Sequence, residues 1–326
     1  MAFIERTVRP FALAIGAVAA CALAVPASAF EPSERITLVS QSSPGTGNDL
    51  MLRKLAEIWA KHKMVPVTVA NENVTGALGE NARRYVSQEN ADSNYVLYAY
   101  TPGTLNQTIL SGSQFTWDKF TPIAFMATAP TAIQVSATSN FQTLDDLTKA
   151  AKEKPGSVVQ GGGPYGGTSS IVGRVLADFT GTELPYTPFK GGGEAVTALL
   201  GNHIQFLAEN PSEVMQYVHS GQMRMLATTA KIDALPDVKT FKELGVTVDV
   251  PDSFLIVVAP PGMSKEAADF YIDLLDKTRA TEEWKAYQTE AALVDNWMTG
   301  KDVGDFLANA AGLYRAMDEK MGLLKK

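Results

Sequence analysis

One stretch concentrates the residue types that could do chemistry: Gln160-Gly161-Gly162-Gly163-Pro164-Tyr165-Gly166-Gly167-Thr168-Ser169-Ser170. Five glycines, with Thr168, Ser169 and Ser170 at the far end, describe a backbone that turns sharply and then exposes its amides. Ser157-Val158-Val159 before it reads as a short strand, and residues 171–179 after it have the apolar periodicity of a helix. The first N–H groups of a helix have no intrahelical partner, and the helix dipole makes that end electropositive. Such a loop is an anion cradle. An ordinary strand-to-helix turn is the alternative, but each glycine costs conformational entropy on folding, and a mere connection needs few of them.

Other chemistries find little support. Gly161-x-Gly163-x-x-Gly166 formally matches the dinucleotide fingerprint. Glycine fills half the loop in any case, and Glu183 precedes the next strand where a ribose-binding acid should end it. There is no GxSxG and no HExxH, and His62, His203 and His219 show no ligand spacing. No catalytic residue, no metal and no cofactor is expected. The single cysteine, Cys21, lies near the amino terminus, so the rest of the chain has neither a disulfide nor a thiolate.

Residues 1–29 read as a signal peptide: Arg6 and Arg9 give a basic start, residues 11–25 are apolar, and Ala27-Ser28-Ala29 supplies a small-residue cleavage site. Cleavage near Ala29 would start the mature chain at Phe30 or Glu31. Val18-Ala19-Ala20-Cys21 also resembles a lipoprotein site, but the residues after Cys21 stay apolar where a lipid-anchored chain turns polar. The reading is export in soluble form, and an exported chain is a poor setting for a nicotinamide enzyme. With 28 basic against 35 acidic residues the net charge is −7, which argues against nucleic acid or an anionic membrane surface as partner. Roughly 300 mature residues fold more naturally as two domains than one.

The elements that must position the glycine loop repeat its pattern. Residues 36–40 read as a strand, followed by Gln41-Ser42-Ser43-Pro44-Gly45-Thr46-Gly47-Asn48-Asp49 and a helix over 50–62. A strand over 65–70 leads to Asn73-Val74-Thr75-Gly76-Ala77-Leu78-Gly79 and a helix near 80–87. A strand over 95–100 ends in the turn Thr101-Pro102-Gly103-Thr104. Extended runs at 120–127 and 131–137, broken at Pro130, suggest a crossing into a second domain. That domain would hold a helix over 144–154, the glycine loop with its helix, and a strand over 185–189. Its fourth glycine turn is Lys190-Gly191-Gly192-Gly193, before a helix over 194–200. A strand over 204–208, a helix opened by Pro211 and a strand over 223–229 complete it. The strand at 253–259 returns to the first domain, and helices follow over 265–278, 283–292 and 301–323. This alternation predicts an α/β chain of open, largely parallel sheets covered by helices. Domain 1 would comprise residues 30–127 and 253–326, and domain 2 residues 128–252. Ligands of such sheets bind at the carboxyl ends of the strands, where the glycine, serine and threonine loops lie.

The chain resembles the solute receptors of tripartite tricarboxylate transporters, the Bug receptors, from about residue 36 to its carboxyl terminus. The family's first loop, PGGGTD with an arginine four residues on, is Pro44-Gly45-Thr46-Gly47-Asn48-Asp49 with Arg53. Its NRPGAGG is Asn73-Val74-Thr75-Gly76-Ala77-Leu78-Gly79, and its AKxxPG is Ala151-Lys152-Glu153-Lys154-Pro155-Gly156. PYKG corresponds to Pro188-Phe189-Lys190-Gly191, GKLRALA to Gly221-Gln222-Met223-Arg224-Met225-Leu226-Ala227, and LPDVPT to Leu235-Pro236-Asp237-Val238-Lys239-Thr240. The order and spacing of the series carry the resemblance. It implies a two-domain periplasmic-binding-protein fold of type II character, with the ligand cleft between the domains. It also implies a periplasmic monomer that closes on a small carboxylate (a dicarboxylate, a hydroxy acid or an aromatic acid) and delivers it to the permease subunits of the transporter. A receptor of an ABC or TRAP uptake system shares the cleft logic but not the motif series. Ser42 stands where the family often has Phe, Phe189 lacks the hydroxyl of the family's tyrosine, and glycines with Tyr165 replace serines of the second loop. These departures bear on which carboxylate is bound rather than on the class of ligand.

The expected site therefore comprises Ser42, Ser43, Gly45, Thr46, Gly47, Asn48 and Asp49 of the first loop, with Thr101. From the glycine loop it takes Gly163, Tyr165, Gly166, Gly167, Thr168 and Ser169, joined by Phe189, Lys190 and Asn210. Asp49 reads more readily as a helix cap that charges the first turn favourably, and Arg53 as a surface or domain-packing residue. Lys190 either pairs with a ligand carboxylate or is a solvated loop lysine. Tyr165, the one bulky side chain of its loop, is a candidate for setting ligand size. Glu209 and Asn210 end a strand at the cleft rim, and Glu209 would repel an anion unless the ligand carries an amine or hydroxyl there. Main-chain amides suffice for such binding: hydrogen bonds to charged groups contribute roughly 1.5–3 kcal/mol each, and a helix N-terminus about 0.3–1.

Overall fold

The structure, a computed structural model, describes residues 30–232, 235–246, 253–320 and 322–324. The expected signal peptide, with Cys21, and the expected boundary at residue 252 fall outside them. The chain opens with β1 (Ile36–Ser40), whose five buried residues feed α1 (Gly47–Lys61), then β2 (Val69–Asn73) and the short α2 (Glu80–Arg84). Next come β3 (Val96–Tyr100), α3 (Pro102–Ser111) and β4 (Thr121–Ala129). Past Pro130 it continues through β5 (Ala132–Ser136), α4 (Leu144–Glu153), β6 (Gln160–Gly162) and α5 (Thr168–Thr180). There follow β7 (Tyr186–Pro188), α6 (Gly192–Leu200), β8 (Phe206–Glu209), α7 (Pro211–His219) and β9 (Met223–Thr228). The last elements are β10 (Ser253–Ala259), α8 (Lys265–Arg279), α9 (Glu282–Glu290), β11 (Val294–Thr299) and α10 (Gly300–Lys320).

These strands form two sheets, one in the order β11-β4-β10-β3-β1-β2 and one in the order β7-β6-β8-β5-β9. Each is mixed, not largely parallel as the alternation of elements suggests. β1 pairs in parallel with β2 and β3, and β6 with β7 and β8. β10 runs antiparallel to β3 and β4, β11 antiparallel to β4, and β5 antiparallel to β8 and β9. Connectivity gives the reason for β5 and β10. A chain that leaves one sheet at the carboxyl end of a strand enters the other sheet at that same shared boundary, so its first strand there must run away from it. Buried strands read as continuous apolar runs in either orientation, so composition does not reveal the difference.

Each sheet is covered on both faces. Side chains alternate across β1, Leu38 joining Trp59, Leu55, Tyr271 and Trp284 under α1, α8 and α9, and Val39 joining Tyr98, Phe125, Phe254 and Tyr314 under α10. The indole N–H of Trp59 donates to Thr278 Oγ1 at 2.7 Å, which pairs the one polar atom of that buried ring. The second sheet is packed the same way, around Val172, Leu176 and Phe206 on one face and Leu199, Val214 and Met225 on the other. Among the described residues no helix is long and apolar enough to cross a membrane.

Several local expectations shift. The second strand lies at Val69–Asn73, not 65–70, and β11 occupies a segment expected to connect two helices. Thr101-Pro102-Gly103-Thr104 is not a free turn but the start of α3: Thr101 and Thr104 form a reciprocal capping box with Pro102 in the first turn. The strand expected at 157–159 lies one step further on, inside the glycine run, as β6. Gly161 and Gly162 are therefore strand residues. A Cβ on Gly161 would collide with Ile204 Cδ1, and one on Gly162 with Ser169 Oγ, so these two glycines serve close packing rather than amide exposure.

Candidate functional site

β1, β3, β6, β7 and β8 each hand the chain to a helix at the boundary between the sheets: α1, α3, α5, α6 and α7. Their amino-terminal turns surround a cavity of about 510 Å³. Hydrogen bonds join the lobes, at the cavity from the Gly47 N–H to Glu213 Oε1 at 3.0 Å and outside its wall from Asn106 Nδ2 to the Gly166 carbonyl at 3.0 Å.

The first loop is held by its own side chains. Asn48 donates to Ser40 Oγ at 3.1 Å and Ser42 Oγ at 3.3 Å, and the Thr46 hydroxyl donates to Asn48 Oδ1 at 2.8 Å. Asp49 turns away from the cavity. It accepts from the Gly45 N–H at 2.8 Å, from Arg53 Nε at 2.9 Å and from Asn73 Nδ2 at 2.9 Å. Burial alone would raise its pKa, but these donors outweigh it and hold the carboxyl below its ordinary value. Behind the loop, Gln41 donates to Gln107 Oε1 at 3.0 Å and accepts from the Tyr98 hydroxyl at 2.8 Å. The fully buried Arg83 lies beyond Gln41, paired with Glu80 at 3.0 Å.

On the opposite lobe α5 starts at Gly167, which offers no capping side chain, so the first-turn amides of Thr168 and Ser169 open at the cavity wall. α6 likewise starts at an uncapped glycine, Gly191. The neighbouring α7 brings two acids. Glu213 lies between α1 and α6: it accepts from Gly47, and a Cβ on Gly192 would collide with its Oε2. Burial pushes its pKa up to about 7, although the Gly47 N–H pulls the other way. Glu209, at the end of β8, is pushed well above its ordinary value, first by burial and then by the charge of Glu213. The Ser169 hydroxyl and the Gly163 N–H oppose that rise without reversing it. Both glutamates keep some exposed surface because they open on the cavity, yet protein surrounds them on every other side.

Of the residues expected from sequence, the cavity wall contains Ser42, Ser43, Thr46, Gly47, Asn48, Thr101, Gly163, Gly167, Thr168, Ser169, Lys190 and Asn210. Five are elsewhere. Gly45 and Asp49 lock the loop from behind through their mutual hydrogen bond. Gly166, at φ +81°, turns the chain and gives its carbonyl to Asn106. Tyr165 points outward, 51% exposed, with its ring edge-on to Tyr186 at 5.6 Å, so it does not set the cavity's size. Phe189 packs into the second lobe's core. Some that do reach the wall have other duties: Thr101 caps α3, and Asn210 donates to the Pro130 carbonyl at 2.9 Å, tying α7 to the crossing.

Gln41, Gln107, the turn Thr75 to Gly79, Ser253, Leu255 and above all Glu213 line the cavity without having been expected there. Thr75 to Gly79 had a legible signal, since it is one of the glycine turns after a strand. Glu213 had only a misleading one, because an acid in the third helical position ordinarily serves its own helix end.

Comparison with known proteins gives the family and the fold. The model of the family described as the tripartite tricarboxylate transporter family receptor matches residues 51–313. A Cupriavidus necator protein described as "UPF0065 protein in gbd 5'region" is 27% identical over 299 residues, spanning 90% of this chain and 89% of its own. The structure of the periplasmic binding protein BugD superposes with a TM-score of 0.82 at 21% identity, over 90% of this chain and all of that one. The R. palustris protein Rpa4515 with adipate superposes at 0.81 and 21% identity, over 89% of this chain and 98% of that one.

Proposed function

Because the chain belongs to the family of tripartite tricarboxylate transporter receptors, we propose that it is a periplasmic receptor for a small carboxylate. It would capture the solute between its lobes and deliver it to the permease subunits of such a transporter. The observation that carries the reading is the convergence of five helix amino termini, from both sheets, on one cavity. A cleft walled by main-chain amides and hydroxyls suits a carboxylate held without an arginine clamp. Adipate, present in the structure of the R. palustris neighbour, is a ligand of that chemistry. In this reading domain 1 comprises residues 30–127 and 253–326, domain 2 comprises residues 128–252, and residues 1–29 are removed on export. The mature protein acts as a monomer and carries out no reaction.

Thermal-shift screening of the mature protein against a panel of mono- and dicarboxylates, followed by calorimetry, tests this. The expected outcome is stabilisation by at least one carboxylate with micromolar or tighter affinity, about −8 kcal/mol. Binding of a sugar or a nucleotide with no response to any carboxylate would overturn it.

A further inference from the structure

A cavity meant only for anions should not contain acids, yet this one contains Glu209 and Glu213. No basic side chain is close enough to either to lower its pKa, and the one lysine or arginine of the cavity wall is the exposed Lys190. The amide of Gly47, the natural anion donor of the first loop, is already taken by the Glu213 carboxylate. A purely anionic ligand would have to displace that carboxylate or lie against it.

An independent observation shows what is missing. Ser169 is 6% exposed and lines the cavity, and its Oγ atom is buried without a hydrogen-bond partner. Its hydroxyl faces the Glu209 carboxyl closely enough to pull that pKa back down, yet Glu209 Oε1 is itself buried and unpartnered. Buried polar atoms in native proteins are nearly always paired, so the wall at this point awaits donors. Glu209 Oε1, Glu213 and Ser169 Oγ all accept, and a primary ammonium is the small group with three donors and no acceptor. Gly192 keeps that side of the seat open, because no side chain fits between α6 and Glu213.

We propose that the ligand is an amino acid in the broad sense, a small carboxylate that also carries a protonated nitrogen. Its ammonium sits between Glu209, Glu213 and Ser169, and its carboxylate meets the uncapped amino terminus of α5. The inference rests on the carboxylate reading above and narrows it. Because Glu213 is oriented by an amide of the other lobe, the ammonium seat is complete only when the lobes are together.

Calorimetry with matched sets tests the idea: 6-aminohexanoate, 6-hydroxyhexanoate and adipate, and the four-carbon set 4-aminobutanoate, 4-hydroxybutanoate, aspartate and succinate. The expected result is that a nitrogen-bearing member binds at least tenfold more tightly than the hydroxy acid and diacid of its set. Glu209→Gln and Glu213→Gln should each reduce that preference at least tenfold. Ser169→Ala, which removes one acceptor without disturbing the fold, should reduce it by a smaller factor. A diacid or hydroxy acid that binds as tightly as its nitrogen-bearing partner overturns this proposal and leaves the carboxylate receptor standing. Silence from every compound overturns this proposal as well, and the wider carboxylate panel then decides the reading it rests on.

Discussion

Glu213→Gln is a direct probe of the charge buried at the junction of the lobes. Glutamine keeps an oxygen acceptor for the Gly47 N–H and nearly the same volume, so the substitution chiefly removes the ability to ionise. In the folded protein the Glu213 carboxyl is pushed up to about 7 by burial, against an ordinary value of 4.5. A raised folded pKa means that the folded state holds the proton more tightly than the unfolded chain. The contribution to stability is therefore intact below pH ~4.5, and it is lost as pH rises through about 7. At about 1.4 kcal/mol per unit the full shift corresponds to about 3 kcal/mol. Water entering the cavity screens the carboxylate, so the expected effect is about 1–2 kcal/mol. The Gly47 hydrogen bond is already contained in that shift and needs no separate allowance. The variant should match the wild type at pH 4.5 and exceed it by this amount at pH 8, a rise in Tm of roughly 2–4 °C. Denaturation of ligand-free protein by urea and heat from pH 4.5 to 8 measures the difference. A difference that does not change with pH, or a variant less stable at pH 8, refutes the argument that burial strains this carboxylate. Glu209, raised by the same burial and by Glu213 itself, acts in the same direction.

Asp49 provides the opposite sign. Its lowered folded pKa contributes stability that is present above about 3.8 and lost as pH falls through the folded value. Asp49→Asn should cost about 1–2 kcal/mol at pH 7 in urea denaturation, a loss that shrinks below pH 3.8, and an unchanged midpoint would deny that its three donors hold the loop. Gly167→Val probes the clamp itself: the residue has an ordinary φ of −77°, with its Cβ position 3.1 Å from the Pro164 carbonyl, and it lies across from Gly103 of the other lobe. Carboxylate affinity should fall at least tenfold with Tm changed by no more than about 3 °C, and unchanged affinity would remove the start of α5 from the site. Gly166→Val is not an equivalent test, since its positive φ and collision with Leu110 would distort the loop.

Much of this protein was legible in local sequence. Strand, glycine-rich loop and helix follow one another wherever apolar runs alternate with Gly, Ser and Thr, and that pattern located β1, β3, α1, α5, α6 and α7. It also brought most of Ser42 to Asn48 and Gly163 to Ser169 to the cavity between the sheets, because loops at strand carboxyl ends open there. The roles within those loops were less legible. Asp49 and Thr46 are both polar residues of one loop, and the positions of Arg53 and Asn73 turn the first away while the second reaches the wall. Gly161 and Gly166 are the same residue, yet one clears Ile204 and the other adopts a left-handed turn.

The directions of β5 and β10 and the meeting of Gly47 with Glu213 belong to the tertiary structure alone. The two residues are 166 positions apart, and nothing within either helix requires the other. Local sequence determines how each chain segment curls, because propensity, capping and turn chemistry act over a few residues. Which carboxylate ends up at which helix terminus is decided only when two covered sheets pack across a shared boundary and exclude water from what lies between them.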